Sequence, residues 1–328
     1  RGLRIPWGIA FLPDGTALVT ERGNKTPEDP GGKARIVSVA PDGKVTEVQR
    51  IPDVANRFGE GGLLGIAVSP DYASDRWVYI YYATESDNRI ARLCLGQPPE
   101  PILTGIPVAD YLPNGSRYHH GGRLAFGPDR MLYATTGETA VHPGLAQDLN
   151  SLGGKILRIT PEGKPAPGNP FPNSPVYSYG HRNVQGIAWD SQGRLYASEL
   201  GHKAADELNR IEPGRNYGWP NAEGLGNNPD YTNPIAVWAP TSKCSPSGIA
   251  VKDDRVYVAC LPAKRLFRVG LNGTPNEPML INRYGRMRAV TVAPDGSLWI
   301  LTSNLDEPGV RGENGVIPTE DFVIRLTV

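Results

Sequence analysis

Two adjacent histidines, His119 and His120, stand in a run from Arg117 to Asp129, and the chain has only five histidines in all. Imidazole titrates near neutral pH, so a histidine beside a bound hydroxyl is the side chain best suited to take its proton. Glycines follow the pair and leave room for a ligand to approach His119, while His120 in an extended chain turns to the other side. His142, His181 and His202 have neither zinc-cage spacing nor a companion cysteine set. A second kind of chemistry is carried by Arg182, Arg286 and Arg288, with Asn183, Gln185, Ser245 to Ser247 and Glu60 at comparable places in the chain. Guanidinium groups suit bidentate capture of carboxylate or phosphate. Lys plus Arg equals Asp plus Glu, 34 against 34. Several arginines meeting at one point would therefore be a local excess, and would imply an anionic ligand.

A repeat supplies the elements that bring these residues together. Similar apolar runs begin at Gly8, Gly65, Arg123, Gly186, Gly248 and Ala289, and several end in Pro-Asp. Each is followed by a turn and a second alternating run, such as Ala17–Thr20, Trp77–Tyr82, Leu132–Ala134 or Leu298–Leu301. Period-two alternation bounded by turn residues predicts a β-hairpin each time. Six recurrences predict an all-β, six-bladed β-propeller with four-stranded antiparallel blades, one domain over 1–328. Segments that precede the first strand of each blade then meet at one mouth of the central channel. Those segments hold Glu60, His119, Arg182 with Asn183 and Gln185, Ser245 to Ser247, and Arg286 with Arg288. Only three strands are visible after Ala289, so residues 3–5 are expected to add a fourth and close the ring.

Composition narrows the remaining classes. Zero net charge without long charge runs argues against a nucleic-acid partner or an anionic membrane surface. No stretch has the roughly 18 apolar residues needed for a transmembrane helix. Gly and Pro total 71 of 328 residues, which suits many tight turns. Cys94, Cys244 and Cys260 are too few for a disulfide scaffold. Cys244 and Cys260 flank one predicted hairpin and read equally as a pair or as two buried thiols. The segments 24–32 and 222–234 are long polar excursions where substrate contacts are expected.

The motifs resemble the soluble quinoprotein aldose dehydrogenases of the glucose/sorbosone dehydrogenase family. The resemblance rests on Gly59–Gly65, His119–Leu124, Gly153–Arg158, Gly180–Gly186, Asp206–Asn209, Asn216–Pro220 and Arg286–Arg288. It implies pyrroloquinoline quinone (PQQ) and Ca2+ as cofactors, and oxidation of the C1 hydroxyl of an aldose to an aldonolactone. His119 resembles the general base, with Glu138 behind it and Glu60 beside it. Arg182, Asn183 and Gln185 fall near the reacting quinone carbonyl, and Lys264, Arg286, Met287 and Arg288 at the cofactor carboxylates, with Tyr231 a further contact. The resemblance implies one calcium at the main-chain carbonyls of Gly201 and His202, and a second at Glu207 and the Tyr217 carbonyl. It also implies an external electron acceptor (quinone, dye or cytochrome), an extracytoplasmic location, and a monomer or homodimer. Ala289 stands where the family commonly has an Asp beside the arginine pair. Two other classes are a calcium-dependent lactone hydrolase, which would favour acidic ligands on the axis, and a non-catalytic binding propeller.

Overall fold

The computed structural model describes residues 2–23, 34–55, 58–306 and 321–328. Six antiparallel sheets follow one another in chain order, and each pairs its strands in sequence. Blade one takes Pro6–Phe11, Ala17–Glu21, Arg35–Val39 and Val45–Arg50. Blade three takes Leu124–Phe126, Leu132–Thr135, Lys155–Ile159 and Val176–Tyr179. Blade four takes Val184–Trp189, Leu195–Glu199, Asp206–Ile211 and Ala236–Trp238. Blades two and five are built alike, with inner strands Leu63–Val68 and Pro246–Lys252. A two-residue parallel pairing of Phe58–Gly59 with Ser116–Arg117 lies outside the blades.

Blade six differs from expectation. Among the described residues its sheet has three strands, Met287–Val292, Leu298–Thr302 and Val323–Leu326. Leu3 adds one antiparallel bridge, to Asp321, rather than a fourth strand. Asp321 concentrates the closure: its side chain accepts the N–H groups of Ile5 and Asn304 and the Thr302 hydroxyl.

The cores lie between blades, where the faces of neighbouring sheets meet. Trp7, Tyr79, Tyr81 and Leu124 pack in one such layer, and Tyr196, Val256, Val258 and Cys260 in another. Each fully buried large side chain contributes about 1.5–3 kcal/mol relative to exposure. The small residue at the head of every repeat except the third, which begins at Arg123, has a steric cause. Inner strands converge on the axis, and a Cβ on Gly65 would stand 2.2 Å from the Gly122 carbonyl, one on Gly186 2.3 Å from that of Ser247. Cys244 and Cys260 form a disulfide, which resolves the two readings of that pair and pins the segment before the inner strand of blade five. No helix among the described residues is long and apolar enough to cross a membrane. The segment expected at 24–32 lies outside the described residues.

Candidate active site

The repeat brings most of the candidate residues to one mouth of the channel. His119 sits on the connection entering blade three, and its Nδ1 lies 2.7 Å from Glu138 Oε1 at the end of that blade's second strand. Pairing with a carboxylate places the proton on Nδ1 and leaves the Nε2 lone pair available. Nε2 makes no hydrogen bond among the described residues, and 11% of the side chain is exposed. The arrangement is that of an oriented general base.

His119 is held by main-chain constraint. Its φ is +56°, which costs a non-glycine residue of the order of 1 kcal/mol. Glu60 offsets this by accepting the His119 N–H at 3.0 Å and the Asn183 amide at 3.2 Å. Burial raises the Glu60 pKa, but the His119 imidazole and N–H outweigh it, so the carboxylate stays below its usual range. The glycines have a role other than the expected one. Cβ atoms at Gly121 and Gly137 would fall 2.5 Å from Thr136 Cα and 2.0 Å from the His119 carbonyl, so these glycines allow backbone to pack on backbone. His120 does turn away: it is buried with Nδ1 at 2.7 Å from Asn88 Oδ1, and burial pulls its pKa down to about 4.

Blade four supplies the neighbouring side of the mouth. Asn183 bridges main chain to Gly137 and accepts the Gly121 N–H, while the Arg182 carbonyl accepts the Glu138 N–H. The Arg182 guanidinium donates from Nη1 to the carbonyls of Leu200 and Gly201 at 3.1 and 2.6 Å, lies over the Trp219 ring, and keeps a buried Nε without a partner among the described residues. Burial lowers its pKa, with Glu138 and Glu60 opposing.

Further down the axis, Gln185 Oε1 accepts from Arg288 Nη1 at 2.8 Å and from the Ser247 hydroxyl at 3.0 Å. Arg288 also pairs with Asp306 at 2.7 Å, and Arg22 pairs with the same carboxylate at 2.8 Å while donating to the Gly59 carbonyl. Asp306 thus provides the carboxylate that Ala289 does not. The Arg288 Nε is buried without a partner, and burial draws the group down to about 10. Arg286 is buried just before the strand that carries Arg288, whereas the Met287 side chain faces the core between blades five and six. Lys264 is half-buried at the connection between the second and third strands of blade five. Tyr231 is half-buried on the long excursion of blade four, its hydroxyl on Asn221 and its ring against Gly218.

The candidate metal residues gather beside Arg182. Glu199 and Glu207 are directly opposite each other on adjacent strands, and they line one cleft with Glu223, Tyr217 and Gly201. Like charges so placed repel, and burial followed by Glu199 pushes Glu207 up to about 8. Such a cluster of hard oxygen atoms fits a divalent cation, although no three His, Cys, Asp or Glu side chains among the described residues form a ready-made cage. Glu223 Oε1 accepts the N–H groups of His202, Lys203, Ala204 and Ala205 and so fixes the loop that carries the Gly201 and His202 carbonyls. Asp206 joins the Gly201 N–H to that of Ser245. His202 itself is exposed, its ring tilted against Trp219. Sequence reasoning missed Arg22, Glu199, Glu223 and Asp306. A cavity of about 520 Å3 lies elsewhere, around Arg194, Arg210 and Arg255.

The fold is a six-bladed propeller whose candidate site combines a carboxylate-oriented histidine with buried guanidinium groups that keep an unpartnered Nε among the described residues. Residues 3–310 match the family described as Glucose / Sorbosone dehydrogenase, and the chain belongs to that family. The PQQ-bound aldose sugar dehydrogenase of Streptomyces coelicolor superposes with a TM-score of 0.87 at 48% identity, covering 99% of this chain and 94% of that one. The aldose sugar dehydrogenase YliI of Escherichia coli is 31% identical over 90% of this chain and 86% of its own. Quinoprotein glucose dehydrogenase B of Acinetobacter calcoaceticus is 31% identical over 70% of this chain and 53% of its own.

Proposed function

We propose that this protein is a PQQ-dependent aldose dehydrogenase that oxidises the C1 hydroxyl of an aldose to the aldonolactone and passes electrons to an external quinone, dye or cytochrome. The observation that carries the reading is the His119–Glu138 pair, with a free Nε2 at the same mouth as Arg182 and Arg288. Nε2 would take the C1 hydroxyl proton, and Glu138 would stabilise the imidazolium formed. Glu60 would hold the His119 main chain and Asn183 in register. Arg182 would lie near the reacting quinone carbonyl with Asn183 and Gln185 beside it, and Lys264, Arg286 and Arg288 would bind the cofactor carboxylates, with Tyr231 a further contact. The orphaned Nε atoms of Arg182 and Arg288 are the feature of the site that fits such an anion.

Bound PQQ supplies the two-electron acceptor for the C1 hydrogen, and Ca2+ a Lewis acid. The carbonyls of Gly201 and His202 would hold one ion, and Glu207 with the Tyr217 carbonyl a second. The family resemblance also supports a single catalytic domain that works outside the cytoplasm. Titration of the protein with PQQ in calcium, followed by dye reduction with a panel of aldoses, tests the reading. Activation that saturates at one cofactor per chain and disappears in His119→Ala is the expected result; no PQQ binding would sink it.

A further inference from the structure

One cation on the axis has no part in the site just described. Arg123 projects from the start of the inner strand of blade three. Its Nε donates to the Gln185 carbonyl of blade four at 2.8 Å, and its Nη1 to the Trp7 carbonyl of blade one at 3.4 Å. Blades one and four face each other across a six-membered ring, so a side chain bonded to both crosses the axis. Its Nη2 reaches blade five, where a Cβ on Gly248 would stand 3.2 Å away. The guanidinium lies 4.1 Å above the Trp7 ring, and Arg288 approaches the same ring at 6.0 Å.

Two compartments meet at this side chain. On one side stand Gln185, Ser247 and Arg288. On the other is a cavity of about 290 Å3, lined by Ile9, Ile66, Leu124, Ile187, Ile249 and Val290, one residue from the inner strand of every blade, with Arg123 at its inner end. A buried cation is ordinarily paired with an acid. Among the described residues Arg123 forms no ion pair with an acid, and its Nη2 is buried without a hydrogen-bond partner. Burial and then Arg288 hold its pKa down to about 9, so it is still cationic at neutral pH.

We infer that Arg123 is the floor of the cofactor site: it partitions the channel and places an uncompensated positive charge beneath the residues that receive an anionic ligand. The inference rests on the proposed PQQ reading for the identity of that ligand, but the partition does not. Arg123 is a positioning residue, since its bonds are to Gln185 and Trp7.

The test uses full-length protein without turnover. PQQ affinity is titrated directly for wild type, Arg123→Lys and Arg123→Met. The charge-retaining lysine should bind within about threefold of wild type and the methionine at least tenfold more weakly. Unchanged affinity in Arg123→Met, or equal weakening in both variants, would overturn the charge assignment. The partition is read without PQQ, by acrylamide quenching of Trp7 fluorescence with the Trp7→Phe protein as background. Trp7 should be shielded in wild type and quenched in both variants, since neither side chain can span blades one, four and five. If Arg123→Met does not fold, Arg123→Lys still decides this arm, and a Trp7 as shielded in it as in wild type overturns the partition. Wild type that binds no PQQ but shows a shielded Trp7 opened in Arg123→Lys would remove the cofactor reading and leave the partition standing.

Discussion

Blades three and four contain the same device, and only one copy is open. In blade three the His119 Nδ1 is 2.7 Å from Glu138, and in blade four the His181 Nδ1 is 2.9 Å from Glu199. In each, the histidine precedes the inner strand and the glutamate lies at or just past the end of the second strand. The difference is what the far nitrogen meets. His119 Nε2 meets no hydrogen-bond partner among the described residues, whereas His181 Nε2 is 2.8 Å from the Ser178 hydroxyl and the ring is stacked on Tyr217 with no exposure. One pair is open in the way the proposed base requires; the other is a brace that holds Glu199, which in turn accepts the Arg182 N–H. The Ser-His-Glu array between blades three and four would suggest nucleophilic chemistry by connectivity alone, but Ser178, on the outer strand of blade three, is fully buried.

The largest expected break in this comparison is His119→Ala, which should lower kcat by a factor on the order of 10²–10⁴ while PQQ titration is unchanged. His181→Ala should do the reverse, weakening cofactor and cation binding with little loss of kcat in the loaded fraction. Next, Glu138→Gln should cost about 10² in kcat by removing the charge that stabilises the imidazolium, again with cofactor affinity intact. Activity measured at saturating PQQ separates the two. If His181→Ala and His119→Ala gave the same profile, the distinction between base and brace would fail.

Stability carries the smaller effects. His120 is neutral and buried, with its pKa drawn down to about 4 from an unfolded value near 6.5. Between those values the unfolded chain binds more protons than the folded one. Stability from this group is therefore complete above pH 6.5 and is lost as pH falls towards 4, by about 2 kcal/mol between pH 7 and pH 5. Denaturant melts of wild type and His120→Gln at the two pH values should show the variant losing less. Smaller still, Ser178→Ala should leave His181 Nε2 unpaired and cost about 1–3 kcal/mol of stability without altering the pH dependence of kcat.

How far the sequence discloses this molecule depends on the distance over which a feature is specified. Hairpins are local, so the Pro-Asp turns and alternating runs fix the blades. The mouth follows once the ring is accepted, because Glu60, His119, Arg182 and Arg288 hold equivalent places in successive repeats. Asp306 follows no repeat: it meets Arg22 across 284 residues, a contact that exists only because blade six returns beside blade one. Glu223 reaches the Gly201 loop from an excursion with no regular spacing. His119 and His181 look alike in sequence, and what separates them is the depth at which Ser178 and Tyr217 close over the second. Met287 shows the limit of motif transfer, since strand alternation sends its side chain opposite to those of Arg286 and Arg288.

The bridge between Leu3 and Asp321 makes the propeller a bracelet with a clasp. Adjacent blades elsewhere are joined by packed faces and by covalent connections, whereas the first and last share a packed face, Val19 and Val37 with Ala289, Trp299 and Leu301, and are tied along the chain only through the reach of residues that carries Leu3 and Ile5. Asp321 is fully buried, and its side chain and main chain together hold Leu3, Ile5, Thr302 and Asn304. A pulling force, a protease or rising temperature would find its first opening there, between blades six and one, and the same seam runs inward to the Arg22–Asp306 pair. Mechanical closure and assembly of the anion site are thus a single event along the chain's last contact.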